Sequence, residues 1–335
     1  MTGFELYLAR NSKKFESYLA TFFSDGSHPD MRRYLYGPLA EYAANAGKRH
    51  RPLICLLACE AVGGDPTQAM GPAAAIEHFH TAALIHDDIE DSSLTRRGEP
   101  CLHIREGEGL AINAGDLALS LVTGTVVDDP QLDDATKLKV LAELVDMTTR
   151  TIEGQALDIG WARDDRFDLT VEDYLVMANH KTAFYSGAVP LAVGAIVGHG
   201  TAEQVEALRA FGMAAGLAFQ IQDDVLNLVG TKEATKKDFR SDVTEGKRTL
   251  VAVHALQHAA DRDRLLAILS ARETDPEVLA EAVGIMRDAG SVSYANDYAR
   301  DLVVDAKAGL EAALPASKAT GLLLSMADFF IKRSS

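Results

Sequence analysis

The sequence predicts an all-α fold, a bundle of ten or more helices. Apolar residues recur at three- and four-residue spacing almost without interruption along the 335 residues, the pattern of a helix with one buried stripe. Alternating β-branched runs closed by hairpin turns, the mark of strands, are nearly absent. Hydrophobic residues make up 47% of the chain and charged residues 24%, enough to bury a large core and unlike a disordered chain.

Composition also excludes some functions. A formal net charge of −16 argues against nucleic acid as a partner, because phosphate backbones need a basic surface. No run of about 18 uncharged apolar residues occurs, so no integral membrane segment is expected. The nearest approach, residues 183–199, is Gly-rich, contains Pro190 and reads as a buried helix. The amphipathic N-terminus lacks the continuous apolar segment of a secretory signal. Cys55, Cys59 and Cys101 form no disulfide framework or metal spacing. They read as core thiols of a cytoplasmic protein.

Residues 4–23 and 30–46 read as amphipathic helices. The turn GKRHRP, residues 47–52, follows, with Pro52 taken as the first position of the next helix, where proline is tolerated. Lys48, Arg49 and Arg51 therefore crowd a helix N-terminus, where cations are unfavourable and an anion is readily held. The next helix, from about Gly71 to Ser92, ends in HTAALIHDDIED, residues 80–91. At 100° per residue, His80, Leu84, Asp87 and Asp91 lie within about 60° of one another, with Ala83 adjoining. Asp87, Asp88, Glu90 and Asp91 repel one another unless a cation sits among them, and hard oxygen ligands on a helix suit Mg²⁺. His86 has no assigned role.

Residues 92–116 read as a loop followed by a helix from about Gly109. The loop carries Arg96 and Arg97, whose guanidinium groups suit bidentate phosphate binding. A long helix over 134–162 contains GQALD, Gly154 to Asp158. Thr170 with Asp173 forms a capping pattern for a helix bearing Lys181 and Thr182 among apolar neighbours, which points the lysine into a pocket. In the helix over 203–229, Gly212, Ala214, Ala215, Gly216 and Ala218 permit close packing ahead of Gln220 and the second acidic pair, Asp223 and Asp224. In the loop over 235–249, Lys237 and Lys247 each stand five residues from Asp242. The remaining residues continue as amphipathic helices without a catalytic motif.

DDIED followed by Arg96-Arg97-Gly98, with FQIQDD downstream, resembles the trans-isoprenyl diphosphate synthase, or polyprenyl synthetase, family, most like geranylgeranyl diphosphate synthases. The resemblance runs from about residue 45 to 250 through several motifs in the expected order. One position departs: Asn227 stands where the second motif usually has its third aspartate. The resemblance implies a single isoprenoid synthase-like domain over 1–335, with the motif helices facing across a central cavity. It also implies a homodimer through helices near 110–160.

The site residues follow from the same resemblance. Lys48, Arg51, His80 and Arg97 would hold isopentenyl diphosphate. Arg96, Lys181, Thr182, Gln220, Lys237 and Lys247 would hold an allylic diphosphate. Asp87, Asp91 and Asp223 would bind three Mg²⁺ ions and, with Lys181 and Arg96, form the catalytic set. The implied reaction is head-to-tail prenyl transfer. A class I terpene cyclase shares DDxxD but needs no second diphosphate site, and a non-catalytic synthase subunit would be expected to lose metal ligands. In the family, aromatics four and five residues before the first aspartate stop growth at C15. Here those positions are Ala83 and Ala82, and the next candidate floors are Phe79 and Ile76, roughly 12 and 16 Å below Asp87. That depth points to a C20 product, with C15 or C25 and longer as alternatives.

Overall fold

The computed structural model describes residues 2–45, 47–230 and 240–331, and these are overwhelmingly helical, as expected. Helices of eight residues or more are α1 (Gly3–Leu19), α2 (Gly37–Ala44), α3 (His50–Ala61), α4 (Met70–Glu90), α5 (Glu108–Val127), α6 (Asp134–Arg163) and α7 (Val171–Ala178). They continue as α8 (Val189–Val197), α9 (Ala202–Val229), α10 (Leu250–His258), α11 (Arg262–Ala271), α12 (Pro276–Asp288), α13 (Ser291–Ala313) and α14 (Lys318–Ile331). The chain divides into two compact units. The first takes residues up to 146, 189–208 and 314–323, and the second takes 147–188, 209–313 and 324 onward.

In the first unit, α4 is buried along most of its length because Ala73, Ala74, Ala75, Ile76, Phe79, Ala82 and Ile85 are inward and largely small. Helix α5 lies against it, burying Ala111, Ala114 and Ala118 beside Ala82 and Ile85. The approach is close: a Cβ at Gly115 would stand 2.3 Å from His86 Nε2, so His86 serves as a packing residue between these helices. Among the described residues α5 is the one helix long and apolar enough to cross a membrane. Its packing against α4 accounts for part of that apolar surface. The run 183–199 is, as expected, almost wholly buried. Part of it forms α8, whose Gly194 presses on α3, where a Cβ would come within 2.0 Å of the Cys55 carbonyl oxygen. All three cysteines are free and buried.

Two local expectations change. Helix α3 begins at His50 with Arg49 as its N-cap in the left-handed region (φ 51°), so Pro52 is the third helical residue, not the first. Its missing N–H still falls among the first-turn donors that have no helical partner. The stretch read as a loop after Asp91 contains a hairpin, β1 (Thr95–Arg96) antiparallel to β2 (Glu99–Pro100). Its turn residues Arg97 and Gly98 both have positive φ, 54° and 87°, as a two-residue type I′ connection requires.

In the second unit the Thr170–Asp173 capping box is present, Thr170 Oγ1 accepting from the Asp173 N–H at 3.2 Å. Helix α7 then widens into a π-helical stretch, Asn179–Ala188. The small residues of α9 fit against that stretch: a Cβ at Gly212 would meet the Gly187 carbonyl oxygen at 2.4 Å, and one at Gly216 the Ala183 oxygen at 2.8 Å. On its other side Gly154 of α6 has room for no side chain, the Lys181 backbone nitrogen lying 2.2 Å from where a Cβ would be. The glycines thus fix the backbone that carries Lys181 and Thr182.

Candidate active site

The first unit gathers basic side chains around the GKRHRP turn. Arg49, buried to 4% exposure, donates to Glu77 Oε1 at 2.6 Å and to the Ala43 carbonyl at 2.6 Å, and it lies 3.4 Å from Glu16. That pair ties the turn to α1, α2 and α4. Two charges taken from water hold only while both are present. Arg51 Nη1 sits 3.2 Å from His80 Nε2. Burial drives His80 well below the ordinary histidine range, and the Arg51 and Arg97 charges add to that. His80 is therefore a neutral imidazole, and because arginine only donates, its Nε2 accepts from Arg51. Arg97 donates to the Asn45 carbonyl at 2.9 Å, and a Cβ on Gly47 would lie 3.1 Å from its Nη1. Lys48 is exposed in the same turn. Arg51, His80 and Arg97 thus come together from three chain segments, with Lys48 in the same turn as Arg51.

At the end of α4, Asp87 is half-exposed, Asp88 is 1% exposed and Asp91 is exposed as the C-cap. Arg96 bridges the first two, donating to Asp87 Oδ2 at 3.0 Å and, through Nε, to Asp88 Oδ1. Burial alone would weaken its charge, but Asp88 and then Asp87 more than offset this and raise its pKa. The Tyr42 hydroxyl donates to Asp88 Oδ2 at 2.7 Å. Burial and that bond hold Tyr42 far above the ordinary phenol range, so it stays protonated as a donor. Of the positions considered for product length, Ile76, Phe79 and Ala82 are buried while Ala83 is only partly so. Ala82 faces α5.

In the second unit Lys181 pairs with Asp158, the last residue of GQALD. Asp223 is half-buried beside the buried Asp224. Asp224 accepts from Tyr174 at 3.0 Å and from Gln220 at 2.7 Å. Burial first, then the charge of Asp242, raises the Asp224 pKa. Burial also raises Asp242, against the pull of Lys247. Lys247 Nζ lies 3.6 Å from Asp242 and 2.8 Å from Glu245. Asn227 donates to Ser241 Oγ at 3.0 Å and accepts from the Asp242 N–H at 3.2 Å, so its amide clips the turn that leads to Lys247. Thr182 is half-buried. Lys237 lies outside the described residues.

Among the described residues no three His, Cys, Asp or Glu side chains form a ready-made metal cage. Hard carboxylate oxygens with accessible faces, Asp87, Asp91 and Asp223, nonetheless suit Mg²⁺, which takes one or two carboxylates and completes its shell with water and phosphate. Sequence reasoning missed Tyr42, Tyr174, the Arg49–Glu77 pair and the pairing of Asp158 with Lys181. Tyr42 and Tyr174 are 46 and 50 residues from their aspartates, and no local pattern announces such partners.

Residues 32–286 match the family model described as polyprenyl synthetase. A short chain isoprenyl diphosphate synthase of Methanothermobacter thermautotrophicus is 44% identical over 289 residues, 86% of either chain. The crystal structure of geranylgeranyl pyrophosphate synthetase from Pyrococcus horikoshii superposes with a TM-score of 0.91 at 33% identity, covering 98% of both chains. A geranylgeranyl pyrophosphate synthase of Corynebacterium glutamicum, solved with isoprenyl diphosphate and magnesium, gives 0.86 at 27% identity over 99% of both. The motifs, the helical fold and these likenesses agree, and the chain belongs to the polyprenyl synthetase family.

Proposed function

We propose that this trans-prenyltransferase joins isopentenyl diphosphate to an allylic diphosphate and releases geranylgeranyl diphosphate, the C20 product. The observation that carries the reading is the presence, within one unit, of two groups of cationic side chains. One is the cluster of Arg51, neutral His80, Arg97 and the Lys48 turn, and the other is Arg96 at the aspartate end of α4. A cyclase, which has a single diphosphate to hold, has no use for the first.

Asp87, Asp91 and Asp223 would hold the Mg²⁺ ions, three in number, which when bound neutralise the charge developing on the leaving diphosphate. Arg96, Lys181 and Lys247 would add fixed positive charge for the same diphosphate, and Thr182, Gln220 and Lys237 are assigned to it by the same reading. Lys48, Arg51, His80 and Arg97 hold the second diphosphate and so aim the isopentenyl double bond. The allylic C–O bond breaks, the double bond attacks the resulting cation, and the proton leaves with the released diphosphate. Apolar walls keep water from the cation. The same reading makes the protein a cytoplasmic homodimer of single-domain subunits, and the exposed apolar residues along α6 support the dimer.

Purified protein supplied with isopentenyl diphosphate, Mg²⁺ and a panel of allylic primers tests this, with products sized by mass. Geranylgeranyl diphosphate is expected, and chelation of the metal abolishes it. Turnover that persists in chelator, or products formed without consuming isopentenyl diphosphate, would overturn the assignment.

A further inference from the structure

The two acidic pairs are built on one plan. In each, the first aspartate is accessible and the second is buried: Asp88 is 1% exposed and Asp224 7%. In each, one oxygen of the buried carboxylate accepts from a tyrosine on a different helix. Tyr42 of α2 reaches Asp88 Oδ2 at 2.7 Å, and Tyr174 of α7 reaches Asp224 Oδ2 at 3.0 Å. The other oxygen takes a second donor, Arg96 Nε in the first unit and Gln220 Nε2, at 2.7 Å, in the second. Both residues expected on the allylic diphosphate at these places are thus anchored through the buried aspartate.

We propose that Tyr42 and Tyr174 are positioning residues, each holding the second aspartate of its pair in one orientation, which in turn sets Arg96 or Gln220 for the allylic diphosphate. Adjacent helical residues point about 100° apart. Fixing the second carboxylate therefore also fixes the direction of the first, Asp87 or Asp223, which is left to face the metal. Each tyrosine sits on a different helix from its aspartate, so the hydrogen bond ties the carboxyl group to a second element and gives it a single direction. The role rests on the prenyl-transfer reading above, but it concerns residues which that reading does not use.

The test removes one oxygen at a time, Tyr42→Phe and Tyr174→Phe. Binding of a non-ionising allylic thiolodiphosphate with Mg²⁺ is measured by calorimetry, alongside KM for each substrate and the melting temperature. Each variant is expected to bind the analogue about tenfold more weakly, about 1.4 kcal/mol, with KM for isopentenyl diphosphate within about twofold of wild type. Because Tyr42 acts through Asp88, adding Tyr42→Phe to Asp88→Ala should produce no further loss. Unchanged analogue binding, equal weakening for both substrates, or multiplying effects in the double variant would overturn the proposal. Wild-type protein that binds no analogue at all would instead overturn the prenyl-transfer reading, and this role with it.

Discussion

Asn227 shows how a single departure from a motif can be read once its neighbours are known. Its amide is engaged on both sides, by Ser241 and by the Asp242 N–H, so its work is to hold the turn before Lys247. Asn227→Asp keeps the acceptor, and the serine hydroxyl can reverse to donate. Turnover is expected to stay within about tenfold of wild type, under about 1.4 kcal/mol. Asn227→Ala loses both contacts and should raise KM for the allylic substrate more than the aspartate variant does. The reverse order in steady-state kinetics would assign the amide another task. His78 offers a second test. Its ring stands edge-on to Phe22 and Phe23 at 5.4 and 5.7 Å, and burial pushes its pKa down to about 4. A histidine held neutral in the fold gives stability that is complete above its unfolded pKa of about 6.5 and lost as pH falls toward 4, worth about 3 kcal/mol. In urea unfolding at pH 7 and 4, wild type should lose about that much more than His78→Leu. Parallel pH slopes would mean the folded ring takes up its proton. The charged residues proposed for the site stand out in the sequence because their clustering is locally improbable. Tyr42, Tyr174 and His78 do not, since an uncharged or apolar-flanked side chain reads as core whatever it touches.

Helix α4 was the most legible element, predicted from about Gly71 to Ser92 and found over Met70–Glu90, because its small apolar residues and acidic end agree. The π-helical stretch Asn179–Ala188 was invisible, since an extra residue per turn leaves no periodic trace in ten residues. The start of α3 was displaced because Arg49 adopts a left-handed conformation sustained by its buried bonds to Glu77 and Ala43, contacts that no local propensity contains. Along α4, Ala82 is enclosed by α5 whereas Ala83 is partly exposed, and this separates two positions that the sequence treated alike. Ala83→Phe is therefore the substitution expected to raise the floor beneath Asp87 and shorten the product from C20 to C15. Phe79→Ala, one turn deeper, is expected to lengthen it, since an isoprene unit is on the scale of one helical turn of about 5.4 Å. Mass analysis of products decides this, and an unchanged distribution in Ala83→Phe would place the growing chain elsewhere.

For the molecule as a whole, the all-α class followed from periodicity and the order of motifs from the family resemblance, whereas the two compact units did not. They are assembled from non-contiguous stretches, and no composition shift marks their limits. The expected subunit contact rests on α6. Leu138, Val145, Ile152 and Ile159 are 69%, 63%, 59% and 41% exposed, each seven residues after the last. Seven residues fall about 20° short of two full turns, so the four form one slowly winding apolar stripe. A folded chain seldom leaves such a patch to water unless something covers it, and each large aliphatic side chain buried contributes about 1.5–3 kcal/mol. Leu138→Lys combined with Ile152→Lys places two charges in that stripe without touching a residue assigned to substrate or metal. Sedimentation at micromolar concentration is expected to shift from twice the subunit mass to the subunit mass, with the helical circular dichroism signal unchanged. A wild-type monomer would remove the dimer. A variant that stays dimeric would move the interface off α6.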